Sequence, residues 1–281
     1  MKYKKDALKR AFFILPALAA VFALFFAGCQ SGTQGKMIPD RIRVVASDTL
    51  LSGMSESLLP PERFDVTVIL PPGQCPGHYD MKLSDIAAVK NADLAVSFRG
   101  MPFMQGAEID ENRHFSVDSR GRNWMVPDVY VNGLEMLAAE FSELFPESAP
   151  LIGERKEQAI LEVTEKNASL GVLLQSAGIW QKTVVGASMI RESLEWMGFR
   201  VAGEYDRPES VSAREIANLV RTGKAEEAVL VADNLQSGPD AGKGIAEALG
   251  VPHVALANFP LENGYAATLD DNVNAVLAAL R

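Results

Sequence analysis

From Glu147 to Gln175 the chain reads ESAPLIGERKEQAILEVTEKNASLGVLLQ, with no proline after Pro150. Ile152, Ala159, Ile160, Val163, Leu170 and Leu173 recur at close to helical spacing with charges between them. That pattern predicts one helix of about seven turns, at ~3.6 residues per turn. Its meaning depends on what flanks it. On each side, short β-branched runs alternate with helical stretches, as in parallel sheets covered by helices. The first block offers Arg41 to Ala46, Asp65 to Leu70, Asp93 to Phe98 and His114 to Val117 as strands; the second offers Thr183 to Ala187, Arg200 to Gly203, Ala228 to Ala232 and His253 to Ala257. Because no strand candidate interrupts the helix, it is expected to join two lobes. The predicted fold is α/β: two lobes, each with a mainly parallel sheet flanked by helices, joined by one long rigid helix. Within the second block, Ser212-Ala-Arg-Glu215 predicts a capping box and a helix through Val220.

Ahead of the first block the text changes character. Lys2, Lys4, Lys5, Lys9 and Arg10 form a basic head, and Ala11 to Ala27 is apolar around Pro16, ending at Phe26-Ala27-Gly28-Cys29. This is the pattern of a secretory signal with a small-residue cleavage site. Read as an anchor instead, the run is short for the ~20 residues that span a bilayer. A cysteine directly after Ala27-Gly28 resembles the bacterial lipobox, so residues 1–28 are expected to be removed and Cys29 lipidated. Residues 29–38 follow as a polar tether. The remaining boundaries are expected at 39–146 for the N-terminal lobe, 147–176 for the inter-lobe helix and 177–281 for the C-terminal lobe.

Composition narrows the partners. The 281 residues are 48% hydrophobic and 22% charged with a net charge of −9, which loss of five basic residues and Asp6 in the leader would take to −13. Nucleic acid is excluded as a partner by that sign of charge. Cys29 and Cys75 are the two cysteines, so with Cys29 lipidated no intramolecular disulfide can form. The segment GPDAGKG, Gly238 to Gly244, has the flavour of a phosphate loop but lacks the first glycine and the hydroxyl residue after the lysine.

In open α/β sheets, ligands bind beyond the carboxyl ends of the strands. That rule selects Ser47 and Asp48, the loop Pro71 to Asp80, Arg99, the loop Arg122 to Pro127 with Asn123, Trp124 and Met125, then Ser188, Met189, Asp233, Asn234 and Asn258. In the second of these, Cys75-Pro76-Gly77-His78 presents a thiol and an imidazole two residues apart. They can ligate zinc or copper, activate the thiol as a nucleophile, or simply make a turn. His114 and His253 begin strands, far from the expected cleft, and read as structural. Met125 and Met189 offer thioethers, which more often fill gaps than bind metal. Arg99, Arg122 and Arg191 near the cleft would suit an anionic ligand.

The run PPGQCPGHYDMKLSDIAAVKNADLAVSFRG, from Pro71 to Gly100, resembles the signature of the zinc/manganese-type solute-binding proteins of ABC importers, keeping Gly73, Pro76, Tyr79, Asp80, Ser84 and Asp85 of that frame. The likeness continues through NWMVPDVYVNGLEMLAAEFSELFPESAP, Val184 to Trp196 and Ala228 to Asn258, over nearly the whole mature chain. It implies a class III periplasmic-binding-protein-like fold, a monomer, an importer permease as partner and no catalytic cofactor. The cargo it implies is a transition metal: zinc first, copper or manganese next. The ligand positions do not carry over. The family's first histidine falls at Gly77, its second at Arg122, its third ligand at Ser188 and its aspartate at Ala257 or Asn258, while Cys75 stands at the aspartate of the Asp-Pro-His motif. Around the expected cleft stand Asp48, Tyr79, Arg99, Arg122, Trp124, Met125, Met189, Arg191, Asp233 and Asn234, and three readings follow: a rearranged metal site on Cys75 and His78 with help from Asn123, Met125, Ser188, Asp233 or Asn258; a cleft for a metal chelate or other small anionic ligand held by arginines and amides; or a surface adhesin or interaction lipoprotein whose cleft is vestigial. In each the protein is a receptor and not an enzyme.

Overall fold

The structure, a computed structural model, describes residues 41–281. The expected leader, the lipidated Cys29 and the tether lie outside the described residues. The N-terminal sheet contains β1 (Ile42–Ala46), β2 (Phe64–Val68), β3 (Leu94–Phe98) and β4 (His114–Val117) in the order β2-β1-β3-β4, with every pairing parallel. Its helices are α1 (Thr49–Leu58), α2 (Leu83–Asn91) and α3 (Pro127–Leu144). The single helix α4 (Ala149–Ser176) leads to the second sheet: β5 (Thr183–Ala187), β6 (Arg200–Tyr205), β7 (Leu230–Asn234) and β8 (His253–Leu256), in the order β6-β5-β7-β8, also parallel. Around it lie α5 (Arg191–Trp196), α6 (Ala213–Ala225), α7 (Lys243–Leu249) and α8 (Tyr265–Ala279). Both lobes thus follow one topology, and the two-lobed expectation holds.

Local chemistry accounts for these elements. TVVGA of β5 and LVADN of β7 are buried throughout, because helices cover both faces of a parallel sheet. At α1, Asp48 is the N-cap and its carboxylate accepts from the N–H groups of Leu50 and Leu51 at 3.0 and 3.2 Å. The predicted capping box is present at α6, where Ser212 and Glu215 bond reciprocally, and the helix runs on to Ala225.

Several expected bounds shift. The strand expected from Asp65 is Phe64–Val68, although Ile69 and Leu70 still donate to the carbonyls of Ala46 and Ser47. The strand expected from Ala228 is Leu230–Asn234. The long helix starts at Ala149, one residue before the helix-initiating Pro150. Its predicted apolar stripe is corrected at one end. Leu174 is buried and Leu173 exposed, because a position four residues after Leu170 returns to the buried face.

Helix α4 packs on α1 and α3 of the first lobe and on α8 of the second. One further tie crosses beside it, the buried ring of Tyr130 stacked on Tyr265 at 3.7 Å, while Lys166 of α4 itself meets Asp270 of α8 at 2.6 Å. One hydrophobic core therefore runs from Val44 and Leu134 through Ile152 and Val163 to Val231 and Val273 without a break between lobes. No helix among the described residues is long and apolar enough to cross a membrane.

Candidate functional site

The carboxyl ends of the two sheets open onto one cavity of about 350 Å³, lined by Phe98, Met101, Trp124 and Phe259 on its apolar side. Its polar lining is Arg99, Ser119, Arg122, Asn123, Ser188, Glu192 and Asn258. Both lobes contribute, as expected from the position of each β1/β3 and β5/β7 switch point. The apolar wall is held by a perpendicular contact between Phe98 and Trp124, with ring centroids 4.8 Å apart. Behind Trp124 lies Gly133 of α3, where a Cβ would come within 2.5 Å of the indole and 3.0 Å of Met54. Only a glycine there lets the indole sit back against the helix.

The two lobes are stitched together through the cavity lining. Asn123 donates from its side chain to Asn258 Oδ1 at 2.7 Å and to the carbonyl of Met189 at 2.9 Å. The backbone N–H of Asn123 donates to Glu192 at 2.7 Å, and Arg122 Nε donates to the same carboxylate at 2.9 Å. Asn258 is fixed in turn from behind. Its N–H donates to Gln236, and Asn272 of α8 grips the preceding Ala257 through both backbone groups at 2.8 and 2.9 Å. Ser188 donates to Asp206 at 2.6 Å. Met189 receives Asn234 Nδ2 on its sulfur at 3.3 Å.

Of the residues singled out from sequence, Arg99, Arg122, Asn123, Trp124, Ser188, Met189 and Asn258 line this cavity. Others are placed elsewhere. Cys75 is buried in the turn at Pro76–His78 and His78 is exposed, its ring 3.8 Å from Glu209; neither lines the cavity. Tyr79 packs edge-on against Phe103 and donates to Asp85 at 2.7 Å, and burial together with that carboxylate pushes its hydroxyl up to about 12. Asp48 is the helix cap described above. Met125 is fully buried, and its carbonyl accepts from Tyr265 Oη at 3.1 Å. Arg191 pairs with Glu195 and Glu204. Asp233 is a buried hub that accepts from Tyr205 Oη at 2.6 Å and from the Gly242 N–H, and meets His253 Nε2 at 2.6 Å. This confirms His253 as structural; His114 likewise spends its ring nitrogen on Ser97 at 2.8 Å. Asn234 stays behind Met189, outside the main cavity.

Sequence reasoning passed over Glu192, the acceptor that ties the lobes together. An acidic residue in a first helical turn is too common a pattern to stand out. Arg122, Ser188 and Asn258 do converge on the cavity, as hydrogen-bonding groups and a cation. Gly77 lies under the guanidinium of Arg207 from the other lobe. Among the described residues, no group of three or more His, Cys, Asp or Glu is placed to hold a metal ion. The side chains present therefore do not fit a bare ion, which takes four donors at ~2 Å in a closed zinc site.

Comparison with known proteins gives the frame for this geometry. The structure is similar to a crystal structure of ZnuA at a TM-score of 0.70 and 18% identity, covering 86% of this chain and 100% of that one. It is similar to a manganese-bound periplasmic metal binding protein from Candidatus Liberibacter asiaticus at 0.72 and 11%, covering 86% and 100%. A periplasmic zinc binding protein from Treponema pallidum follows at 0.68 and 13%, covering 85% and 99%. No curated protein sequence matches the chain. The family described as ZnuA, the periplasmic component A of zinc-uptake complexes, matches residues 44–279; the chain belongs to that family.

Proposed function

We propose that this chain is the lipid-anchored, extracytoplasmic receptor of an ABC importer, and that its cargo seat is the inter-lobe cavity. Membership of the family makes it a periplasmic metal-binding component of uptake that works with a permease. The observation that carries the seat is convergence: strand ends of both lobes place Arg99, Arg122, Asn123, Trp124, Ser188, Met189 and Asn258 around one volume. Residues 1–28 are the leader, Cys29 carries the lipid, residues 29–38 are the tether, and the mature chain works as a monomer. Zinc is the first candidate metal, copper and manganese the next. Mechanism here is selection and release, with the lobes held by α4 and the carboxamide hydrogen bonds across the cleft, so that cargo enters by local movement more than by lobe closure.

Uptake of radiolabelled zinc, copper and manganese by cells with and without the gene tests this reading. Uptake of one metal should fall on deletion and return with the wild-type gene, but not with a gene carrying Asn123→Ala and Asn258→Ala. Unchanged uptake of all three would reject it.

A further inference from the structure

The geometry points to a cargo that is a metal held in an anionic chelate of a small aromatic carboxylate, not a bare ion; this rests on the reading of the chain as a metal-uptake receptor. Size is the first argument. A volume of about 350 Å³ lies in the ~300–1,000 Å³ range of sites for small organic ligands and far above the ~30 Å³ share of one water. Composition is the second. The lining gives aromatic and thioether surface from Phe98, Trp124, Phe259 and Met101, which a hydrated ion cannot use and a planar ring can.

Hydrogen bonding is the third argument and the most specific. Arg99 and Arg122 both line the cavity, and neither is exhausted by its partner. Arg99 meets Asp118 through Nη1 at 3.1 Å, and Arg122 meets Glu192 through Nε alone. A guanidinium carries five donors in a fixed fork suited to carboxylates. Among the described residues, both terminal nitrogens of Arg122 thus remain for a further acceptor. Each guanidinium is balanced by one carboxylate, so the unspent N–H donors of the fork, and not net charge, are what the carboxylates of a chelate would meet. The carboxamides of Asn123 and Asn258 and the hydroxyl of Ser188 complete a lining that reads a ligand's polar edge. The metal would then be coordinated by the chelator, and the protein would recognise the chelator.

The test uses the purified full chain in equilibrium dialysis against zinc alone, zinc premixed with pyridine-2,6-dicarboxylate, and zinc premixed with citrate, with bound zinc measured by mass spectrometry. Arg99→Gln and Arg122→Gln run in parallel after circular dichroism shows that they fold. The expected result is about one equivalent from the aromatic chelate, little from zinc alone, weaker retention from the ringless citrate, and at least tenfold loss of affinity in each variant. Tight retention of zinc alone, undiminished in the variants, overturns the inference while the uptake reading stands. Retention of none of the three overturns the inference too, and zinc uptake that also ignores deletion of the gene shows that the underlying reading has failed with it.

Discussion

Asp48 shows how a single residue can answer to the fold and not to the cargo. Its carboxyl is fully buried and pushed up from 3.8 to about 6, burial outweighing the hydrogen bonds from Ser47, Leu51 and Leu50. Between those two values the folded chain holds a proton that the unfolded chain has released. Stability therefore falls as pH rises through the window and levels off above it, a penalty of roughly 3 kcal/mol at ~1.4 kcal/mol per unit. Asp48→Asn keeps an acceptor for the helix N–H groups and removes the charge. Urea unfolding at pH 4 and pH 7 should find the variant's advantage small at the lower pH and larger by most of that penalty at the higher; a constant difference would mean that Asp48 ionises as easily folded as unfolded. Sequence placed Asp48 at a strand's carboxyl end correctly, but the same rule cannot tell a cap from a ligand contact. It failed for Asp233 in the same way: position beyond a strand is legible, whereas the Tyr205, His253 and Gly242 groups that claim that carboxylate come from other elements.

At the scale of elements, α4 is where period and burial meet. Ile152, Ala159, Val163, Leu170 and Leu174 form its buried stripe and pack it against helices of both lobes. Ile152→Ala should cost about 2–5 kcal/mol by lost transfer energy and the cavity left behind. Leu173→Ala, on the exposed side, should stay within ~0.5 kcal/mol. Equal losses in denaturant titrations would contradict the register. Eight strands and this helix were legible because apolar periodicity records which face is covered. Ends were less so: β7 begins two residues later than its apolar run, since the ladder to β5 and β8 and not hydropathy decides where pairing starts. The Cys75 to His78 turn was legible as a turn, whereas its neighbours Arg207 and Glu209 of the opposite lobe, about 130 residues away in sequence, were not.

For the whole molecule, the decisive property is that its two lobes share one core. The Tyr130–Tyr265 stack and the Asn123–Asn258 bond cross the boundary between the lobes, and the Lys166–Asp270 pair fastens the joining helix to the second. Scanning calorimetry of the purified protein should show a single transition with equal calorimetric and van't Hoff enthalpies. Two separated transitions would mean that each lobe stands alone. Tied lobes leave a receptor few ways to change what it accepts, since moving one sheet against the other disturbs every tie together. The indole of Trp124 offers another way. It rests on the bare backbone of Gly133, on a helix that takes no part in the cavity lining. A side chain of any size at that point would push the indole toward the cavity and make it shallower. The depth of the cavity is therefore set in part from a hidden helical position that never touches its interior.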